Sequence, residues 1–144
     1  MATTINNERR ALVDEMVKAM NERELDRLDD LMLPNFVRHC EPTPDLVIED
    51  LAGYKAFLNG FTEGFPDNVQ TIQSMAVDGD LIGVFATYEG TQLGPFGPVA
   101  PTGKRVRFSF AGMFRVENDK LAEFWVTWDQ MTILRQLGLL PDGG

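Results

Sequence analysis

Asp129 is the carboxylate whose setting in the sequence best suits chemistry. It follows the aromatic run Phe124-Trp125-Val126-Thr127-Trp128 and stands where a strand-like pattern gives way to a helical one, Gln130 to Gln136. At the mouth of a curved sheet, an acid there is partly withdrawn from water. Its pKa then rises and its carboxylate works as a general base. The same position is that of a helix N-cap, which accepts amide protons two or three residues on. The two roles share a geometry but oppose each other in pKa, because amide hydrogen bonds lower it. His39 is the only histidine, so any imidazole chemistry must use it.

Other reactive side chains carry weaker signals. Glu123 shares strand parity with Trp125, Thr127 and Asp129, so it belongs to the same face; a rim charge or an arginine pairing on the neighbouring strand is the plainer use. Cys40 adjoins His39, but strand neighbours point to opposite faces, which argues against a thiolate–imidazole pair. Arg105, Arg107 and Arg115 alternate on one strand and suit either an acidic ligand or surface acids. One His and one Cys leave no zinc set, and no Asp/Asn-rich calcium loop is present. The prolines of Gly94-Pro95-Phe96-Gly97 remove amides that a phosphate loop needs, and no Gly-x-Ser-x-Gly elbow occurs. The chemistry expected is free of metal and nucleotide.

The elements that must position these groups follow from periodicity. Asn7 caps a predicted helix over Glu8–Met20, and a second runs from Glu24 to Met32, ended by Pro34. Residues 36–40 read as a short strand. A third helix spans Ile48–Glu63, with Leu51, Tyr54, Phe57, Leu58 and Phe61 as its buried stripe. Strand patterns then cover 69–77, 81–91, 104–116 and 121–128, rich in β-branched and aromatic residues. Asp78-Gly79-Asp80 and Asn118-Asp119 are hairpin turns. The loop between Gly94 and Gly103 is long enough to cover a pocket mouth. Helices followed by an antiparallel meander give an α+β fold with helices on one face of the sheet. In the 104–116 strand, Val106, Phe108, Phe110, Gly112, Phe114 and Val116 form one apolar parity. The other includes Ala111 and Met113, which a fully solvated outer face does not need and a second subunit would bury.

The 144 residues, 44% hydrophobic and 24% charged, suit one globular domain. A formal charge of −9 excludes nucleic acid and anionic membrane as expected partners, since both need a basic face. One cysteine and the lack of an apolar leader or a membrane-length run fit a cytoplasmic protein.

Phe65-Pro66-Asp67, Asp78-Gly79-Asp80, Gly90-Thr91, Pro101-Thr102-Gly103-Lys104, Glu123, Trp125, Asp129 and Gln136-Leu137-Gly138 occur in an order that resembles the SnoaL-like polyketide cyclases. The resemblance spans nearly the whole chain, as a single domain over 1–144. It implies the cone-shaped α+β fold of the nuclear transport factor 2-like superfamily. In that fold a curved antiparallel or mixed sheet carries three N-terminal helices on its concave face. It further implies that Asp129 is the acid/base of an intramolecular aldol condensation, with His39 beside the cavity to hold a carbonyl or relay a proton. An apolar pocket walled by Trp125, Phe65, Met113, Tyr54 and Phe61 would take a small apolar carbonyl compound without a cofactor. The protein would be a homodimer joined through the outer sheet face. A limonene-type epoxide hydrolase, which needs two aspartates and an arginine, and a non-catalytic binding protein are the alternatives.

Overall fold

The structure, a computed structural model, describes residues 2–140. Helix α1 (Ala2–Asn21) is followed by a short 3-10 helix (Leu25–Asp30), strand β1 (Met32–Cys40) and helix α2 (Leu51–Gly64). Strands β2 (Val69–Asp78), β3 (Leu81–Thr91), β4 (Arg105–Glu117) and β5 (Lys120–Trp128) then form a meander that ends in helix α3 (Gln130–Gln136). The sheet order is β1-β5-β4-β3-β2, with β1 parallel to β5 and every other pair antiparallel. The result is the α+β architecture expected: a curved, open, mixed sheet with helices on one face. Among the described residues no helix is long and apolar enough to cross a membrane.

Local chemistry explains most boundaries. Asn118 and Asp119 both take positive φ, 51° and 60°, and turn β4 into β5 in two residues, as the twist of a hairpin requires. Asp50 caps α2 by accepting from the Gly53 amide at 2.6 Å, so that helix starts at Leu51 and not at Ile48. Ile48 instead exchanges backbone hydrogen bonds with Arg38, at 2.8 and 3.2 Å. The second predicted helix is only the 3-10 helix, because the chain turns at Leu31 and its last residue, Met32, already belongs to β1. Pro34 lies inside that strand, where the register shifts between Met32 and Val37; an edge strand tolerates a proline at such an irregularity. Helix α1 begins ahead of Asn7.

The main core lies between the concave sheet face and the helices. Val13, Met16 and Met20 of α1 and Leu51, Tyr54 and Leu58 of α2 meet Phe36, Ile82, Phe114 and Phe124 of the sheet. Phe114 and Phe124 stack with centroids 3.9 Å apart. Beside them Gly112 leaves room that no side chain could share, since an added Cβ would sit 2.7 Å from Phe124 Cζ. A smaller cluster of Phe65, Tyr88, Val106, Ile133 and Leu137 closes the other end. Helix α3 is tied to it by Gln136, whose amide bonds both the N–H and the C=O of Arg107 at 2.7 and 2.8 Å. Strand β5 ends opposite Phe110, so the Gln136 side chain stands in for the missing strand.

The loop after β3 is organised by Gln92, which is fully buried. Its Oε1 accepts from the amide and hydroxyl of Thr102, and its Nε2 donates to Ala100. The loop brings Phe96 edge-on to Phe61 and Phe65, at 5.9 and 5.6 Å, and so backs the aromatic wall described next.

Candidate functional site

A cavity of about 120 Å3, counted as room for the centre of a water molecule, opens between the concave sheet face and α2, with the end of α1 at its rim. Aromatic contacts run around it. Phe57 meets Phe61 at 4.8 Å, Phe61 meets Tyr88 at 5.9 Å, Tyr88 stacks on Phe108 at 5.1 Å, and Phe108 reaches Trp128 at 6.3 Å. The Arg38 guanidinium closes the circuit, 4.4 Å from the Phe57 centroid and 5.6 Å from that of Trp128.

Arg38 is the group that sets the chemistry of this space. It is only 5% exposed, and its Nη1 has no hydrogen-bond partner. Its backbone is clamped from both sides, by Phe124 of β5 and by Ile48. A guanidinium stays protonated under all ordinary conditions, so burial cannot neutralise it. The two rings supply cation–π attraction, which offsets part of the desolvation cost.

The other polar groups on the wall are uncharged side chains, tyrosines, amides and a threonine, and one further arginine. The Tyr88 hydroxyl is buried without a partner. Burial holds its phenol well above the ordinary value, against a smaller opposing pull from Arg23, so it is a proton donor and not a base. Burial likewise raises Tyr54, with Arg38 opposing. Arg23, held at φ 62°, spends its guanidinium on the carbonyls of Met20, Pro66 and Asn68 at 2.7–2.9 Å. Among the described residues the charged groups lining the cavity are Arg23 and Arg38, and no carboxylate or imidazole lines it.

The residues singled out from sequence fall into three places. Tyr54 and Phe61 line the cavity, while Phe65 stands one layer back, packed against Tyr88 and Phe96. Trp125 and Met113 are corrected: they lie on the outer face, 41% and 43% exposed, because Phe124, Val126 and Trp128 of β5 and Phe110, Gly112 and Phe114 of β4 take the inner one. His39 is on the outer face too. It stacks on Trp125 at 5.6 Å and bonds Glu123 Oε2 at 2.7 Å.

Asp129 is exposed and caps α3. It accepts from the amides of Met131 and Thr132 at 3.0 and 3.2 Å and from the Thr132 hydroxyl at 2.8 Å. The Thr132 hydroxyl and amide bonds hold its carboxyl below the ordinary value, where a base near neutral pH would need it raised. Asp129 is not among the residues lining the cavity. Of its two possible uses, these are the bonds of the cap.

Arg38 and Tyr88 carried no weight in the sequence, yet a signal for Arg38 was present. Phe36 and Cys40 are apolar and share its parity, so the strand that buries them points Arg38 inward and His39 outward. Tyr88 had none, since a tyrosine in an alternating strand gives no hint that its hydroxyl will lack a partner.

The sequence model of the SnoaL-like polyketide cyclase family matches residues 10–137. No curated protein matches the chain by sequence. Among solved structures, AclR of Streptomyces galilaeus, described as a candidate hydroxylase, is 30% identical with a TM-score of 0.81, covering 94% of this chain and 98% of its own. IdmH of Streptomyces antibioticus, described as a candidate polyketide cyclase, is 28% identical with a TM-score of 0.79, covering 90% and 97%. TsrD of Streptomyces laurentii is 25% identical with a TM-score of 0.83, covering 93% and 97%. With a family match over most of its length and this cone of sheet and helices around an aromatic cavity, the chain belongs to the SnoaL-like polyketide cyclase family.

Proposed function

We propose that the protein is a cofactor-independent cyclase or isomerase that performs acid/base chemistry on a small apolar carbonyl compound, with intramolecular aldol-type ring closure as the reaction. The observation that carries this reading is the pair of unpaired donors, Arg38 Nη1 and the Tyr88 hydroxyl, buried in an aromatic wall. Enolate formation and aldol addition both develop negative charge on a carbonyl oxygen. Fixed donors in a largely apolar cavity stabilise that charge more than water does, because they need not reorganise. A proton flanked by two carbonyls leaves even to a weak base. The reading therefore suits 1,3-dicarbonyl substrates, with the exposed Asp129, one residue beyond Trp128, or solvent as the acceptor. Family membership and the likeness to IdmH support the same class.

A carrier without catalysis is the second reading, favoured by the lack of a carboxylate or imidazole on the described wall. Either way the outer sheet face, which exposes Phe85, Met113 and Trp125, is proposed to join two copies of the chain.

The deciding experiment incubates the protein with a panel of aryl β-polyketones and follows ring closure with loss of water by mass spectrometry. Accelerated closure that weakens in Arg38→Gln and Tyr88→Phe supports the cyclase. Tight binding with no acceleration across the panel would leave the carrier.

A further inference from the structure

We infer that the group received at Arg38 is an anionic oxygen group, a carboxylate or an enolate already formed, so that the cavity selects its ligand by charge as well as by apolar shape. The inference deepens the reading of this cavity as the ligand site, but it does not depend on turnover. It starts from a contradiction in the charge distribution. The chain is formally −9, yet both charged residues on the described cavity wall are arginines. Arg23 is committed to backbone carbonyls. Arg38 is not. It is 5% exposed and its Nη1 lacks a partner.

Acids on the elements packed around Arg38 do not reach the cavity: Glu63 of α2 is exposed and off the cavity wall, and two others are engaged elsewhere. Glu123, on the adjoining β5, faces the other side of the sheet and takes His39 and Arg115. Asp50, at the start of α2, caps that helix. A permanent cation with an unmet donor inside an aromatic enclosure is costly unless something neutralises it. The rings of Phe57 and Trp128 do so only in part. A planar oxyanion completes the set, because the guanidinium fork matches its geometry and a charge-assisted hydrogen bond is about twice as strong as a neutral one.

The test compares two ligands of nearly equal shape, 2-naphthoate and the neutral 2-acetylnaphthalene, binding to the intact protein at neutral pH. Titration calorimetry gives the affinities, and quenching of Trp128 beside the site checks them. The expected result is a preference for the anion of roughly tenfold to a hundredfold, as a charge-assisted bond to a buried donor implies. Arg38→Gln should erase that preference while keeping affinity for the ketone. Should Arg38→Gln fail to fold, Arg38→Lys, which keeps the charge and loses the fork, should retain a reduced preference. Equal affinities in the unaltered protein, or a preference that survives in Arg38→Gln, overturns the inference. Binding of neither compound overturns the cavity reading with it. Ring closure without anion preference overturns this inference and leaves the cyclase standing.

Discussion

Glu123 accepts the His39 imidazole at 2.7 Å on the outer face of the sheet, and its other oxygen takes Arg115 Nε at 3.1 Å. The only histidine is thereby committed to a surface network with its ring on Trp125, on the side of the sheet away from the cavity. Burial pushes the Glu123 carboxyl up, but the bonds from His39 and Arg115 outweigh it and leave the carboxyl below its ordinary value. A depressed carboxyl stabilises the fold above its unfolded pKa, about 4.3, and loses that contribution as pH falls through the folded value. Thermal melts should therefore place Glu123→Gln below the unaltered protein at pH 6, with the gap closing below about pH 4. A gap that persists at low pH would mean the network contributes through shape and not charge.

Removing one donor from the cavity should slow ring closure far more than it loosens the fold. Loss of a single oxyanion donor typically costs about 100- to 1,000-fold in rate. Arg38→Gln and Tyr88→Phe are each expected in that range, read as kcat on whichever polyketone first turns over. Rates within a few-fold of normal in both variants would exclude the pair from the reaction.

Asp129→Asn separates the cap from the base. Asn caps helices about as well as Asp, so the melting temperature should barely move. A required general base would cost roughly two to four orders of magnitude in turnover. The exposed, hydrogen-bonded carboxylate with its lowered pKa predicts a loss of less than about tenfold. A larger loss would return Asp129 to the centre of the mechanism.

Gly112 is a packing requirement and not a hinge. Any Cβ there meets the Phe124 ring and the Trp125 carbonyl, both 2.7 Å away at Phe124 Cζ and Trp125 O. Gly112→Val should destabilise by about 1–3 kcal/mol, the usual cost of overpacking, seen in urea melts as a lower midpoint at unchanged slope. A neutral substitution would show that the Phe114–Phe124 stack can slide.

Sedimentation should find a dimer that Trp125→Glu together with Phe85→Glu converts to monomer without loss of helical and sheet signal. The paired substitutions place charge on two apolar residues that are 41% and 47% exposed in one chain. A monomer in the unaltered protein at high concentration would remove the outer face from consideration.

The limits of the four meander strands, the hairpin turns and the α3 cap were legible in the sequence because each depends on a few neighbouring residues, whereas β1 starts at Met32, four residues ahead of its expected start. Asn118-Asp119 turns wherever it stands between two strands, and Asp129 offers its oxygen to the amides that follow it in the chain. Helical spacing marked Tyr54 and Phe61 only as part of a buried stripe; that the stripe lines a cavity was implied by the family resemblance. What the sequence could not settle was which side of the sheet is inside. Strand β5 carries Trp125 on one parity and Phe124 with Trp128 on the other, so both faces read as apolar. The choice is made by α1 and α2, whose stripes cover one face and leave Trp125, Met113 and His39 on the other. The site itself depends on the same long-range packing. Arg38 Nη1 lies without a partner against Phe57 and Trp128, which are distant from it in the chain, and no local pattern records what a side chain will fail to meet.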